Sequence, residues 1–292
     1  MQEILSFIDQ VSRYNYLQQA LIAAVLVGII CGVIGCFIIL RGMALMGDAI
    51  SHAVLPGVVI AYMVGASFFV GAVIAGVLTA LGIGYVSQNS RIKDDSAIGI
   101  LFTAAFALGV VLLTNLRGTS LDLWHILFGN VLAVSRSDLW VTFGIGVFVL
   151  LMIFLFYRPL LMSTFDPTMA KAAGIPVQMI HYLLMLLLSL VTVASLKTVG
   201  IILVVAMLIT PGATAYLLTD RFPVMLFLSA FFGSISAVLG IFFSVVYDVA
   251  SGASIVLVAS VIFGIVFFFS PKQGVVTRYF RSKVQRAQRA AS

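Results

Sequence analysis

Nine apolar runs dominate this chain and leave it few ways to fold. They fall at about 18–40, 50–65, 68–87, 97–115, 138–157, 179–196, 198–218, 222–247 and 253–270, near the ~20 residues that cross a bilayer as a helix. Lipid offers the backbone no hydrogen-bond partners, so each run is read as a helix packed on other helices. Charged residues make up 9% of the 292 and hydrophobic ones 62%, whereas soluble domains carry ~25% charge. The only glutamate is Glu3, which argues against an enzyme with many titrating groups. The expected fold class is an all-α polytopic membrane protein of eight to nine transmembrane helices. The count is open because 50–65, with Pro56 and Gly57, and 198–218, with Pro211 and Gly212, are broken-helix candidates. Irregular backbone at membrane depth is tolerated where it is packed in protein or lines a wet cavity, so both runs are candidate walls of a path.

Charge sets the orientation. With nine spans and a cytoplasmic C-terminus, Arg41, Arg91, Lys93, Arg158, Lys171, Arg221 and the tail residues Lys272, Arg278, Arg281, Lys283, Arg286 and Arg289 fall inside. Arg13, Arg117, Arg136 and Lys197 fall outside, as the positive-inside rule prefers. The basic 272–292 segment is read as a cytoplasmic tail rather than a nucleic-acid site. Residues 1–17 carry Glu3 and Asp9 and lack a basic n-region, which argues for an interfacial segment rather than a cleavable signal. Residues 18–271 are expected to form one transmembrane domain. Cys31 and Cys36 do not stack on one helix face, so no local disulfide is expected. Gly28 and Gly32 make a small-xxx-small face for close helix packing.

Against this background Asp48 and His52 stand out. Four residues apart on a helix, they share a face about 6 Å apart. Ionisable groups at membrane depth are costly and mark ion or proton paths, and an oxygen–nitrogen pair suits manganese, iron or zinc. Met43 and Met46 lie near them, but the methionines are otherwise scattered and read as packing. The alternative for this pair is a helix cap and a packed histidine. Arg41 lies so close that Asp48 should sit near the cytoplasmic end unless the first helix is kinked. His181, at the start of the sixth span, either completes the shell or anchors an interface. Asp122 and His125, flanked by Trp124, and Asp248 lie outside in this topology and are possible entrance residues or simple interface and turn residues. Asp94 and Asp95 read as a solvated turn, and Lys197 as a snorkelling side chain.

One polar stretch, 158–176, is delimited at both ends. Asp166 can cap a helix with Pro167 in its first turn, and Gly174 with Pro176 stops it after about two turns. It is either an ordinary connector or a short coupling helix that docks into a groove on a soluble partner. Phe165, Asp166, Ala170, Ala173 and Gly174 would form that contact.

Taken in order, Gly35–Gly42, Gly47–Gly57, Ile126–Asn130, Phe165–Gly174 and Leu208–Ala215 resemble the permease subunit of the ABC-3 family of bacterial metal-uptake transporters. The similarity runs from about Tyr16 to Lys272 and, with His181–Met185, leans to the manganese or manganese/iron branch. The resemblance implies a homodimer around one path in the bacterial cell membrane. It also implies an ATP-binding cassette subunit docked at 163–176 and an extracellular metal-binding lipoprotein. Mn²⁺, or Zn²⁺ or Fe²⁺, would be cargo moved by alternating access, with no permanently bound cofactor. The chain has no Gly-x-x-x-x-Gly-Lys-Ser/Thr loop, so ATP hydrolysis is expected in the partner. A secondary transporter would need paired broken helices with buried carboxylates, and no second half matches the Asp48 region. His-Glu-x-x-His and Gly-x-Ser-x-Gly are absent, which argues against a hydrolase.

Overall fold

The computed structural model describes residues 2–114 and 131–270. A short α1 (Gln2–Arg13) leads into α2 (Asn15–Leu40), and a span in two pieces follows, α3 (Met46–Ala53) and α4 (Leu55–Val64). Next come α5 (Phe68–Asn89), α6 (Asp94–Thr114) and α7 (Arg136–Leu155), with a 3-10 turn at Val131–Ala133 before α7. Two short helices, α8 (Tyr157–Phe165) and α9 (Pro167–Ala172), lead to α10 (Val177–Val199). The described chain ends with α11 (Ile201–Leu218), α12 (Phe222–Tyr247) and α13 (Ser251–Phe269). Among the described residues nine helical spans are long and apolar enough to cross a membrane, with α3 and α4 counted as one. That is the larger of the two counts expected from sequence.

Burial sorts the spans into a centre and a periphery. The most apolar stretches of α2 and α10 are each 67% buried, those of α6 and α13 only 17%. Lipid tails are as apolar as leucine, so helices associate in a membrane by close packing rather than by escape from water. The small residues supply it. A Cβ on Gly28 would come within 2.8 Å of the Gly233 backbone, so α2 and α12 touch there backbone to backbone. One turn on, Ser229 Oγ donates to the Gly32 carbonyl at 2.7 Å. Cys31 and Cys36 are buried free thiols, and Cys36 Sγ bonds the Gly32 and Met225 carbonyls.

The broken second span was legible, and its cause is local. Val54 separates α3 from α4, and Pro56 sits in the first turn of α4, where its missing N–H costs nothing. The seventh span differs from expectation, since Pro211 lies inside a continuous α11. There α11 packs on α2 so closely that a Cβ on Gly35 would overlap the Leu208 carbonyl oxygen. Neighbouring helices of this kind allow a transmembrane helix to tolerate proline.

Gly200 alone separates α10 from α11, and Lys197, in the last turn of α10, lies beside α7. Its Nζ pairs with Asp138 at 2.5 Å and lies 5.8 Å from the Phe69 ring centroid. The snorkelling reading missed this partner. Replacing Lys197 with methionine is expected to lower stability by about 1 kcal/mol, the upper end for exposed pairs. A double-mutant cycle with Asp138→Asn, read by thermal melting in detergent, checks the coupling.

Candidate functional site

Asp48 and His52 come together on α3, one turn apart, with Asp48 Oδ1 3.5 Å from His52 Nε2. Both face a cavity of about 480 Å³ whose opposite wall is α11, from Ile201 and Ile202 through Val205 and Ala206 to Ile209 and Thr210. The imidazole is bracketed by Phe102 and Phe106 of α6, at ring distances of 5.8 and 5.7 Å. These rings hold the imidazole edge toward the carboxylate. Ligand atoms ~2.1 Å from one ion and 3.5 Å apart subtend roughly 110° there, so the spacing of this pair is compatible with a single divalent cation.

Among the described residues no third histidine, cysteine or acid joins them. The remaining coordination at such an ion would come from water, from Thr210 or from a second chain. A partial shell suits a site that must release its ion.

The tension over depth resolves in the turn before α3. After α2 ends at Leu40, Gly42 takes φ +70° and the chain folds back into the protein. Met43 and Met46 are buried there, and Gly47 lies against the Leu208 side chain. Leu208 is roughly 15 Å along α11 from its end at Leu218. Asp48 is thus carried inward although only a short stretch of chain separates it from Arg41.

The other candidates separate from this pair. His181 Nδ1 faces Arg41 Nη1 at 3.3 Å, and its Nε2 is buried without a partner. It does not line the Asp48 cavity. Asp248 is exposed at the end of α12, in a left-handed turn with φ +53°. Asp122 and His125 lie outside the described residues, as do Arg117 and the 272–292 tail. Asp94 and Asp95 are exposed in the first turn of α6, where the helix dipole favours acids.

In the 158–176 stretch, Asp166 accepts from the backbone N–H groups of Thr168 and Met169 at 3.0 and 2.9 Å, capping α9. These bonds hold its pKa below the ordinary carboxylate value. Gly174, at φ +80°, ends the turn, and its N–H donates to the Lys171 carbonyl. Phe165, Asp166, Ala173 and Gly174 are exposed, as is Met169, whereas Ala170 is fully buried and serves packing. Helix α8, ahead of α9, was not foreseen; Pro159 in its first turn reads from sequence as a breaker but suits a helix start. Phe165 packs edge-on against Phe222 at 6.2 Å, which seats the segment on the start of α12.

Among the described residues, nine apolar helical spans, a cavity with a carboxylate–imidazole pair and a short capped helix with an exposed face are the features of a multi-pass membrane transport permease. The chain belongs to the ABC 3 transport family, whose model matches residues 13–270. It is 79% identical over 292 residues, the whole of both chains, to the manganese transport system membrane protein MntC of Halalkalibacterium halodurans. It is 52% identical over 270 residues to the manganese import system permease protein ScaB of Streptococcus parasanguinis, covering 92% of this chain and 96% of that one. Among solved structures it is similar to PsaBC from Streptococcus pneumoniae in complex with Fab, with a TM-score of 0.83 and 51% identity. That match covers 96% of this chain and 99% of the other. The family resemblance read from the motifs is borne out.

Proposed function

We propose that this chain is the permease subunit of an ATP-driven importer of divalent transition metal, with manganese as its cargo. The observation that carries the proposal is the Asp48 Oδ1–His52 Nε2 pair, 3.5 Å apart on the wall of the cavity against α11. Relatives at 79% and 52% identity bear manganese-transport names, which supports manganese over zinc or iron. In this reading an external metal-binding lipoprotein in the bacterial cell membrane hands the ion to the path. An ATP-binding cassette subunit docks on the exposed surface of α9. ATP-driven closure of the partner subunits reorients the helices, exposing the pair to each side in turn. A second copy of the chain beside the open cavity would complete the path.

The test is metal content and radioactive manganese uptake in cells lacking the protein, with and without the wild-type gene restored. Restored manganese accumulation is the expected result. Restored zinc or iron without manganese would overturn the choice of cargo, and no response from any of the three would overturn the importer reading. Uptake by the purified chain in vesicles without an ATP-binding subunit would favour a secondary transporter.

A further inference from the structure

Arg41 terminates α2, yet its guanidinium turns into the protein, where burial pushes its pKa down to about 10. Among the described residues no carboxylate pairs with it. Instead, all three nitrogens are engaged. Nε donates to Thr164 Oγ1 at 3.1 Å, Nη2 donates to Ser163 Oγ at 2.7 Å, and Nη1 donates to His181 Nδ1 at 3.3 Å. The acceptors are prepared for this. The Ser163 and Thr164 hydroxyls both donate to the Leu160 carbonyl, at 3.1 and 2.7 Å, and so offer lone pairs to the guanidinium. An imidazole that accepts on Nδ1 carries its proton on Nε2, the buried atom with no partner beside Gly84. His181 in this state has no lone pair left for a metal.

A buried charge without a counter-charge is costly, so stability alone is a poor reason to place one here. What arginine uniquely supplies is a rigid planar fork, here joining three elements at once: the end of α2, the end of α8 and the first turns of α10. The two ends of this junction lead to the two functional parts. Thr164 stands two residues before Asp166, the cap of α9. On the other side the chain passes from Arg41 through the Gly42 turn directly into α3, which bears Asp48 and His52. Helix α3 is 8 residues long, and at its junction with α4 Pro56 leaves one backbone hydrogen bond unmade.

We infer that Arg41 is the positioning residue that passes movement of the α8–α9 segment to α3, linking the state of the metal pair to ATP hydrolysis. The inference rests on the proposed docking of the ATP-binding subunit at α9. Proximity alone does not show coupling, so the test measures coupling itself. The complex with its ATP-binding subunit is placed in vesicles, and manganese uptake and ATP hydrolysis are measured together. Arg41→Gln is expected to keep assembly and hydrolysis while manganese moved per ATP falls by about tenfold, within the usual range of coupling between sites. Arg41→Lys keeps the charge but not the fork and is expected to recover only a small part. Ser163→Ala with Thr164→Val, which leaves Arg41 intact, is expected to give the same fall.

An unchanged ratio in Arg41→Gln and in the double variant would overturn the inference. So would uptake and hydrolysis falling together in proportion to the protein recovered, or full recovery by Arg41→Lys. The docking reading is checked separately by cross-linking Met169→Cys, at a site 61% exposed, to the ATP-binding subunit; both native cysteines are buried. No cross-link in a transporting complex would remove the docking reading and this inference with it. A cross-link with an unchanged ratio would remove the Arg41 role alone.

Discussion

Replacing Asp48 or His52 with alanine is expected to abolish metal uptake while the protein still assembles in the membrane. Among the described residues the two side chains supply the one close carboxylate–imidazole pair on the cavity wall, so under the proposed function either change leaves one ligand of two. Loss of an outer-shell partner alone costs 10–100-fold in metal affinity, so loss of a direct ligand should lower uptake by at least about a hundredfold. Structural cost should be small by comparison. The Asp48 and His52 side chains are 43% and 30% exposed, and what is sacrificed is their mutual contact and, for His52, the ring contacts with Phe102 and Phe106. Uptake, membrane abundance and ATP hydrolysis by the complex are measured in parallel. Normal uptake in both variants would end the assignment of the site.

That pair was legible because its geometry is local: an i, i+4 spacing on a helix is a contact whatever the rest of the fold does. The spans were legible for a similar reason, since apolar composition over twenty residues dictates a helix in lipid wherever it packs. Contacts distant in sequence were not. Arg41 was counted only as an inside charge, and nothing near it in the chain announces Ser163, Thr164 or His181. Lys197 looked like a side chain reaching for an interface because Asp138 lies on another helix. The cavity's second wall lies in the 198–218 run, which its Pro211 and Gly212 had marked as a candidate wall, but which of its residues would face Asp48 could not be read. The misreading of Pro211 as a break has the same root, in that a local rule yields to the packing of α2 against α11.

That packing carries the other large effect. Gly35→Ala is expected to destabilise the protein by about 3 kcal/mol, the upper part of the range for overpacking, and to impair uptake per folded molecule. The added methyl group would overlap the Leu208 carbonyl oxygen, which is fixed in helical backbone and cannot swing aside as a side chain would. Relief requires α11 to move off α2. Two further contacts resist this, because Gly212 meets Ile39 and Gly35 from the α11 side, and the Leu208 side chain lies against Gly47 at the start of α3. Displacing α11 therefore also moves Ile209 and Thr210 relative to Asp48. Gly99→Ala and Gly144→Ala serve as controls. Both glycines lie within helices facing open space, where alanine should stabilise by roughly 0.5–1 kcal/mol if it does anything. Melting in detergent and uptake normalised to folded protein distinguish the cases. Wild-type melting by Gly35→Ala would mean that α2 and α11 do not approach this closely, and with them the described wall of the Asp48–His52 cavity would fall.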